Sequence, residues 1–311
     1  MTTYDEQIAD EWRARAVELA DWTFRHLVNR TDVWGRYLAK PPRDADPGAR
    51  NQAVTAPFRD ERGKVFLDRS SLEKHFRVRK PGGTLGLHSS SVDRTSRWLA
   101  IDIDLHEPDD LSVTPEGNFA AAKTWFDRLR DQGFDPLLMD SNGNGGFHLM
   151  VIFAQPLTTL SVHDFGRRIT SDYPQLGLDE VPEVFPGKPD WRRYGDWLRL
   201  PGRHHTRQHY TRVWNDEPWA DDEWLEGHDA IDRILRTERA TAEVVERNGL
   251  VVARRTICLD FDGVLHSYRS GWRGPDVIPD PPIHGTREAI ARLRKSYRVV
   301  VHSARCSTET G

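Results

Sequence analysis

Cysteine is nearly absent from this 311-residue chain, which contains Cys258, Cys306 and no other. So few thiols exclude a disulfide framework and a cysteine-rich zinc site, and they fit a reducing compartment. A cytoplasmic location is expected. Long hydrophobic runs are missing too. No apolar stretch approaches the roughly 18 residues a membrane span requires, and 30% of the residues are charged. A globular protein with no membrane partner is expected. The N-terminal MTTYDEQIADEW is acidic and has neither the basic start nor the apolar centre of a secretion signal. A net charge of −4 excludes a protein coated in positive charge, but not a local basic patch.

Two stretches share one spacing. RWLAIDIDLHE places Asp102 and Asp104 two apart in an apolar run, and TICLDFDGVLH does the same with Asp260 and Asp262. Residues i and i+2 of a strand face the same way, so each pair presents two carboxylates side by side. Like charges that close repel, and a divalent cation bound by both would cancel the repulsion. A strand end whose aspartates cap a turn or face water is the other reading.

Periodicity organises the rest. Ile8, Trp12, Ala16, Leu19, Phe24 and Leu27 recur at helical spacing from Gln7 to about Asn29, predicting an amphipathic helix. Residues 40–64, rich in Pro, Gly, Arg and Asp, read as a loop, and SSLEKHFRVRKPGG as a short helix with a basic turn. NFAAAKTWFDRLRDQG predicts a helix ended by Gly133. DPLLMDS and FHLMVIFA are strand-like runs joined by NGNGG, and another helix is expected over 161–173. VPEVFPG and DWLRLPG read as a strand pair or strand edges. Residues 221–248 are expected to be a charged helical segment leading out of the domain. The order predicts an α/β (α+β) fold, a sheet of mixed pairing with flanking helices behind an N-terminal helical segment.

Glycines before a strand let backbone N–H groups approach an anion, and His148 beside them could add a charge-assisted contact to phosphate. Taken alone, DSNGNGGFH reads more simply as a tight hairpin whose glycines satisfy positive φ and whose His is merely polar. Residues 187–212 interleave Lys188, Arg192, Arg193, Arg199, Arg203, Arg207 and Arg212 with Trp191, Tyr194, Trp197 and Tyr210. That composition suits phosphate contact with base stacking, and equally a solvated basic loop with aromatics in the core. Glu183 in VPEVFPG is a third acidic candidate.

In their order these motifs resemble the archaeo-eukaryotic primase superfamily, particularly its primase-polymerase branch and the primases of TOTE-type conflict systems. Asp102 and Asp104 match its first motif. SNGNGGFH, with Ser141, Gly143, Gly145 and His148, matches its second, and Glu183 its third. WLRLPGRHH resembles the segment that follows. The resemblance spans about residues 65–235, and Gly146 departs from it, because many members carry Ser at that position. It implies a DNA primase/polymerase using Mg²⁺ or Mn²⁺ held by Asp102, Asp104 and Glu183. His148, Ser141, Gly143, Gly145, Arg203 and His204 would serve the nucleotide. Implied partners are nucleoside triphosphates, single-stranded DNA or primer-template, and a helicase or nuclease.

LDFDGVLH resembles the haloacid dehalogenase superfamily. The resemblance makes Asp260 a nucleophile, Asp262 a general acid/base and, through VVVHSAR, Ser303 a phosphate-oxygen donor. The lysine and further acidic motif of that family are not found after Ser303, so residues 255–311 are expected to be an incomplete, inactive, partly Rossmannoid unit. The expected organisation is an N-terminal helix and loop (1–64), a catalytic domain (65–240), a linker (241–254) and this unit. A nucleic-acid-binding replication module without catalysis and a phosphatase are the alternative functions. A rolling-circle nicking enzyme fits poorly, since adjacent His204 and His205 would face opposite ways on a strand.

Overall fold

The computed structural model describes residues 3–37, 53–56, 59–60, 63–64, 66–80, 82–104, 114–187, 195–217, 224–253, 255–294, 297–303 and 305. Two compact units emerge, Met1–Val252 and Ala253–Gly311. The first begins with α1 (Tyr4–Ala14) and α2 (Ala16–His26). A single helix is expected there, but the backbone leaves helical geometry at Arg15 (φ −96°, ψ 8°) and starts again. Short strands follow: β1 (Trp34–Tyr37), β2 (Ala53–Ala56), β3 (Arg59–Asp60) and β4 (Gly63–Lys64). The stretch expected as pure loop thus contains strands, because Ala53–Ala56 pairs antiparallel with β1.

Next come α3 (Arg69–Phe76), β5 (Leu85–His88), β6 (Thr95–Ile103), α4 (Pro115–Asp131), β7 (Leu137–Asp140), β8 (Phe147–Thr158) and α5 (Thr159–Ile169). Helix α4 is capped by Thr114, whose hydroxyl accepts the Gly117 N–H at 3.0 Å, and has Pro115 in its first turn. Both are strong start signals. After the 3₁₀ turn Tyr173–Leu176 the chain forms β9 (Glu183–Phe185), β10 (Trp197–Arg199), β11 (Arg212–Trp214), β12 (Trp224–Leu225), α6 (Gly227–Arg236) and α7 (Ala242–Arg247). Residues 241–252, expected as linker, carry α7 and bury Val245 and Leu250 against the first unit's core. Burying such apolar side chains is worth roughly 1.5–3 kcal/mol each.

The larger sheet runs β12-β11-β7-β8-β6-β9, and the smaller β10-β5-β1-β2. Every strand pair in both is antiparallel, which corrects the expected mixed pairing. The reason is topological. Strand β8 turns back from β7 and inserts between β7 and β6, so strands that run in the same direction are never neighbours. Nor do β9 and β10 pair with each other; each edges a different sheet.

Alternation sorts the larger sheet's side chains. Trp98, Ala100, Leu137, Met139, Met150, Ile152 and Phe185 join Trp12, Leu19, Leu72, Leu198 and Ile231 in one buried cluster. The opposite face, including Leu99, Ile101, Leu149, Val151 and Val184, packs on Trp125, Phe126 and Leu129 of α4 and Val162 and Phe165 of α5. The result is an α/β fold with helices flanking a sheet core. Trp98 locks β6 in place by donating its indole N–H to the Leu27 carbonyl at 2.8 Å. Among the described residues no helix is long and apolar enough to cross a membrane.

The second unit is a parallel pair, β13 (Arg255–Asp260) and β14 (Tyr297–His302), linked through α8 (Thr286–Leu293).

Candidate active site

Three strands bring the principal candidates to one row. In the β6/β8 register Asp102 faces His148, and in the β6/β9 register Asp102 faces Glu183. One step back, Ala100 faces Met150 and Phe185, all within the first apolar cluster. The polar row is therefore the place where that buried face reaches the strand ends. Asp104, two residues beyond Asp102, extends it.

The charges in this row are costly. Burial pushes the Asp102 carboxyl well above the ordinary carboxylate range; Asp104 and Glu183 add to the shift, and Arg199 opposes it. His148 moves the other way. Burial, aided by Arg199, lowers its pKa to about 3, so near neutral pH it is an uncharged imidazole. The contact between Nε2 of His148 and Oδ1 of Asp102, at 3.5 Å, is accordingly not an ion pair. Near neutral pH His148 thus offers a neutral donor or acceptor and not the positive charge expected of it.

Arg199 is the cation of the site. It comes from β10, in the other sheet, and is buried. Burial lowers its pKa, while Tyr37, Asp102, Asp104 and Asp140 raise it; a guanidinium stays charged in such surroundings. It donates to the Ser141 carbonyl and, at 3.4 Å, to that of Leu200. Tyr37 from β1 stands nearby, its phenol pushed up to about 12 by burial, and its ring stacks on His205 at 4.1 Å. Sequence reading placed Arg199 in a basic stretch without distinguishing it, and missed Tyr37. No feature beside either residue in the sequence marks its place at the site, since Leu198 and Arg199 are both buried and Trp197 is half-buried.

The glycine turn is occupied by its own chain. Asp140 accepts the amides of Asn142 (3.3 Å) and Gly143 (2.7 Å). The side-chain oxygen of Asn142 accepts those of Asn144 (2.8 Å) and Gly146 (3.0 Å). Gly143 (φ 66°) and Gly145 (φ 82°) take the left-handed conformation that glycine permits. These four amides serve an Asx-stabilised hairpin and are not aimed at an anion. Arg203 and His204 are buried as well. Arg203 donates to the His204 carbonyl at 2.7 Å, and Nδ1 of His204 accepts the Arg207 amide at 3.0 Å, so both side chains hold their loop together. Residues 188–194, which contain much of the basic and aromatic stretch, lie outside the described residues.

Carboxylates are the hard oxygen donors that Mg²⁺ and Mn²⁺ take, and Asp102 is a carboxylate whose ionisation neighbouring carboxylates oppose. By donor chemistry the row suits such an ion. Among the described residues, however, no three His, Cys, Asp or Glu side chains form a group that could hold a metal. Asp104 turns one oxygen to the Asn142 amide, at 3.2 Å.

In the second unit Asp262 is engaged by Arg305, whose Nε lies 3.1 Å from both carboxylate oxygens and whose Nη2 lies 2.9 Å from Oδ1. Hydrogen bonding to Arg305 holds its pKa below the ordinary range, which opposes the general-acid role. Asp260 accepts the Phe261 amide at 2.8 Å, and the Ser303 hydroxyl accepts the Arg305 amide at 3.2 Å.

No protein-family model matches the chain, and no curated protein matches it. Among solved structures it is distantly similar to the polymerase domain from Mycobacterium tuberculosis Ligase D in complex with DNA. That likeness has 16% identity and a TM-score of 0.40, over 80% of this chain and 93% of that one.

Proposed function

We propose that residues 1–252 form a template-directed nucleotidyltransferase, a DNA primase/polymerase acting on nucleoside triphosphates with single-stranded DNA or primer-template as its partner. The observation that carries this reading is the register that sets Asp102 between Glu183 and His148 at the end of a buried sheet face. A buried carboxylate flanked by two others is unfavourable on its own and favourable around a divalent cation.

Asp102, Asp104 and Glu183 would hold Mg²⁺ or Mn²⁺. When bound, such ions neutralise phosphate charge and lower the pKa of an attacking 3′-hydroxyl. The chain's own part is positioning and charge. Arg199 supplies a fixed positive charge beside the carboxylates, and neutral His148 keeps a ring nitrogen at the row. Ser141, Gly143 and Gly145 shape the turn at the rim, and Arg203 and His204 shape the facing loop. A helicase or nuclease acting alongside belongs to the same proposal.

Incorporation of labelled dNTPs and NTPs on primed and unprimed single-stranded DNA, with Mg²⁺ or Mn²⁺, tests it. Extension is expected in the parent and is lost in Asp102→Ala/Asp104→Ala, and His148→Ala lowers it. Product on unprimed template adds priming. Template binding with no incorporation under either metal supports the second reading, a non-catalytic nucleic-acid-binding module, which the engagement of Asp104 by Asn142 favours.

A further inference from the structure

Arginines of the first unit such as Arg15, Arg128 and Arg233 are each paired with a carboxylate. One end of the larger sheet differs. Helix α2 ends at His26, and the turn after it is pinned to the start of β6. The Trp98 indole donates to the Leu27 carbonyl at 2.8 Å, and the Arg97 amide donates to Oδ1 of Asn29 at 2.9 Å. Ala240 reaches the same place across β8. Its amide donates to the Ile152 carbonyl at 2.8 Å, its carbonyl accepts the Ala154 amide at 3.0 Å, and Ile152 is the register partner of Trp98. Arg97 and Arg239, far apart in the sequence, are thereby brought to the end of α2.

The charges gathered there do not balance. Arg25 and Arg239 are exposed, and Arg97 and His26 are half-buried. Asp21 is shared between two cations, accepting from Arg25 on one oxygen and from Arg69 on the other at 2.7 Å. Among the described residues, neither the Arg97 nor the Arg239 guanidinium forms a hydrogen bond or an ion pair. Burial lowers the pKa of His26, and Arg239, Arg25 and Arg97 lower it further against Asp21. The ring is neutral near pH 7 and packs edge-on to Trp22 at 5.6 Å. A helix C-terminus favours cations in its own last turn, which accounts for Arg25 and His26. It does not account for Arg97 and Arg239, which come from other elements.

An unbalanced cluster built of arginine suits phosphates, because the guanidinium fork matches their oxygens and is only weakly hydrated. We propose that Arg97 and Arg239, with Arg25 beside them, form a surface that contacts the nucleic-acid backbone away from the carboxylate row. Arg97 stands five residues before Asp102 on β6, a separation of roughly 16 Å at strand spacing. Contacts of this kind fix affinity and orientation and carry no sequence information. The proposal rests on the reading of this unit as one that acts on nucleic acid.

The test is fluorescence anisotropy of a labelled single-stranded oligonucleotide with the full chain, over a range of salt concentrations. Arg97→Gln/Arg239→Gln is compared with the parent, with Arg97→Lys/Arg239→Lys, and with Arg287→Gln/Arg292→Gln on α8, which removes the same charge elsewhere. Thermal melting is the fold control. The first variant is expected to bind roughly tenfold more weakly at low salt and to lower the slope of log K against log salt by about 1.4. The lysine pair should recover most of the affinity, and the α8 pair should behave as the parent. In nucleotide incorporation the first variant should raise the KM for template and leave kcat and the nucleotide KM unchanged. Binding no weaker than that of the α8 pair, or a lysine pair as weak as the glutamine pair, overturns the proposal while leaving nucleotidyl transfer standing. A fall in kcat overturns it too, since it would place these arginines in the chemistry. The expected binding pattern without incorporation supports the surface and overturns nucleotidyl transfer. A parent that binds phosphatidylserine vesicles but no oligonucleotide overturns both.

Discussion

Nε2 of His148 lies 3.5 Å from Oδ1 of Asp102, and the two groups are driven toward their uncharged forms, the imidazole down and the carboxyl up. The fold thus keeps a carboxylate where it is least welcome, as happens when stability is exchanged for function. Asp102→Asn removes the like-charge repulsion with little change of shape. It should stabilise the first unit by about 1 kcal/mol in the presence of a chelator, raising Tm by roughly 2–4 °C, and should abolish incorporation. A lower Tm would mean that Asp102 is a net structural asset.

Acid should destabilise the protein well above the usual carboxylate range. His75 is buried between the Pro201 carbonyl at 2.8 Å and the Leu85 amide at 2.9 Å, and burial lowers its pKa to about 4. In the unfolded chain it takes a proton at its ordinary value near 6.5. The unfolded state therefore binds more protons between these values, and stability falls as pH drops from 6.5 toward 4. For His75 alone the loss reaches about 2 kcal/mol by pH 5; His148 acts with the same sign and the raised Asp102 carboxyl with the opposite one. Urea unfolding of Asp102→Asn at pH 7.5 and pH 5 measures it without the opposing carboxyl; a flat profile there would contradict the buried neutral histidines.

A tryptophan lies across two facing glycines. Gly35 and Gly86 are register partners in β1 and β5, and a Cβ on either would come within 2.2 Å and 2.1 Å of the Trp197 ring. Gly86→Ala should cost about 1–3 kcal/mol by overpacking, read by chemical denaturation. Because Trp197 and Arg199 share β10, incorporation should fall in the same variant even at temperatures where it is folded.

The second unit should not hydrolyse phosphomonoesters. Arg305 keeps Asp262 ionised and engaged, whereas a general acid must carry a proton. Hydrolysis of a chromogenic phosphomonoester by the full chain, lost in Asp260→Ala, would refute this.

Legibility in the sequence followed locality. The helix α4 with its terminating Gly133 and the turn before His148 rest on contacts within a few residues, strand β6 shows in an unbroken apolar run, and each was readable. The grouping of Asp102 with His148 and Glu183 came from motif order, not from any local signal. Arg199 and Tyr37 reach the row from a second sheet, and nothing near them in sequence announces it. The antiparallel pairing escaped because the β-α-β-β order does not say which strand β8 will sit beside. Residues 241–252 read as linker because their charged surface outweighs Val245 and Leu250, the two side chains that anchor them. Asn142 looked like an ordinary turn residue, since its partner Asp104 is remote in sequence.

The insertion of β8 between β6 and β7 also sets a calendar for biosynthesis. Asp102 and Asp104 leave the ribosome on a strand that has neither neighbour, and His148 follows only with β8. Glu183 comes later, and the compensating charge of Arg199 later still, close to a hundred residues after β6. At roughly 5–20 residues per second, the nascent chain spends several seconds with its paired carboxylates in water, where they are at ease, before the sheet can close over them. Burial of the costly charge is thereby deferred at least until β9 has been made, shortly before Arg199 itself.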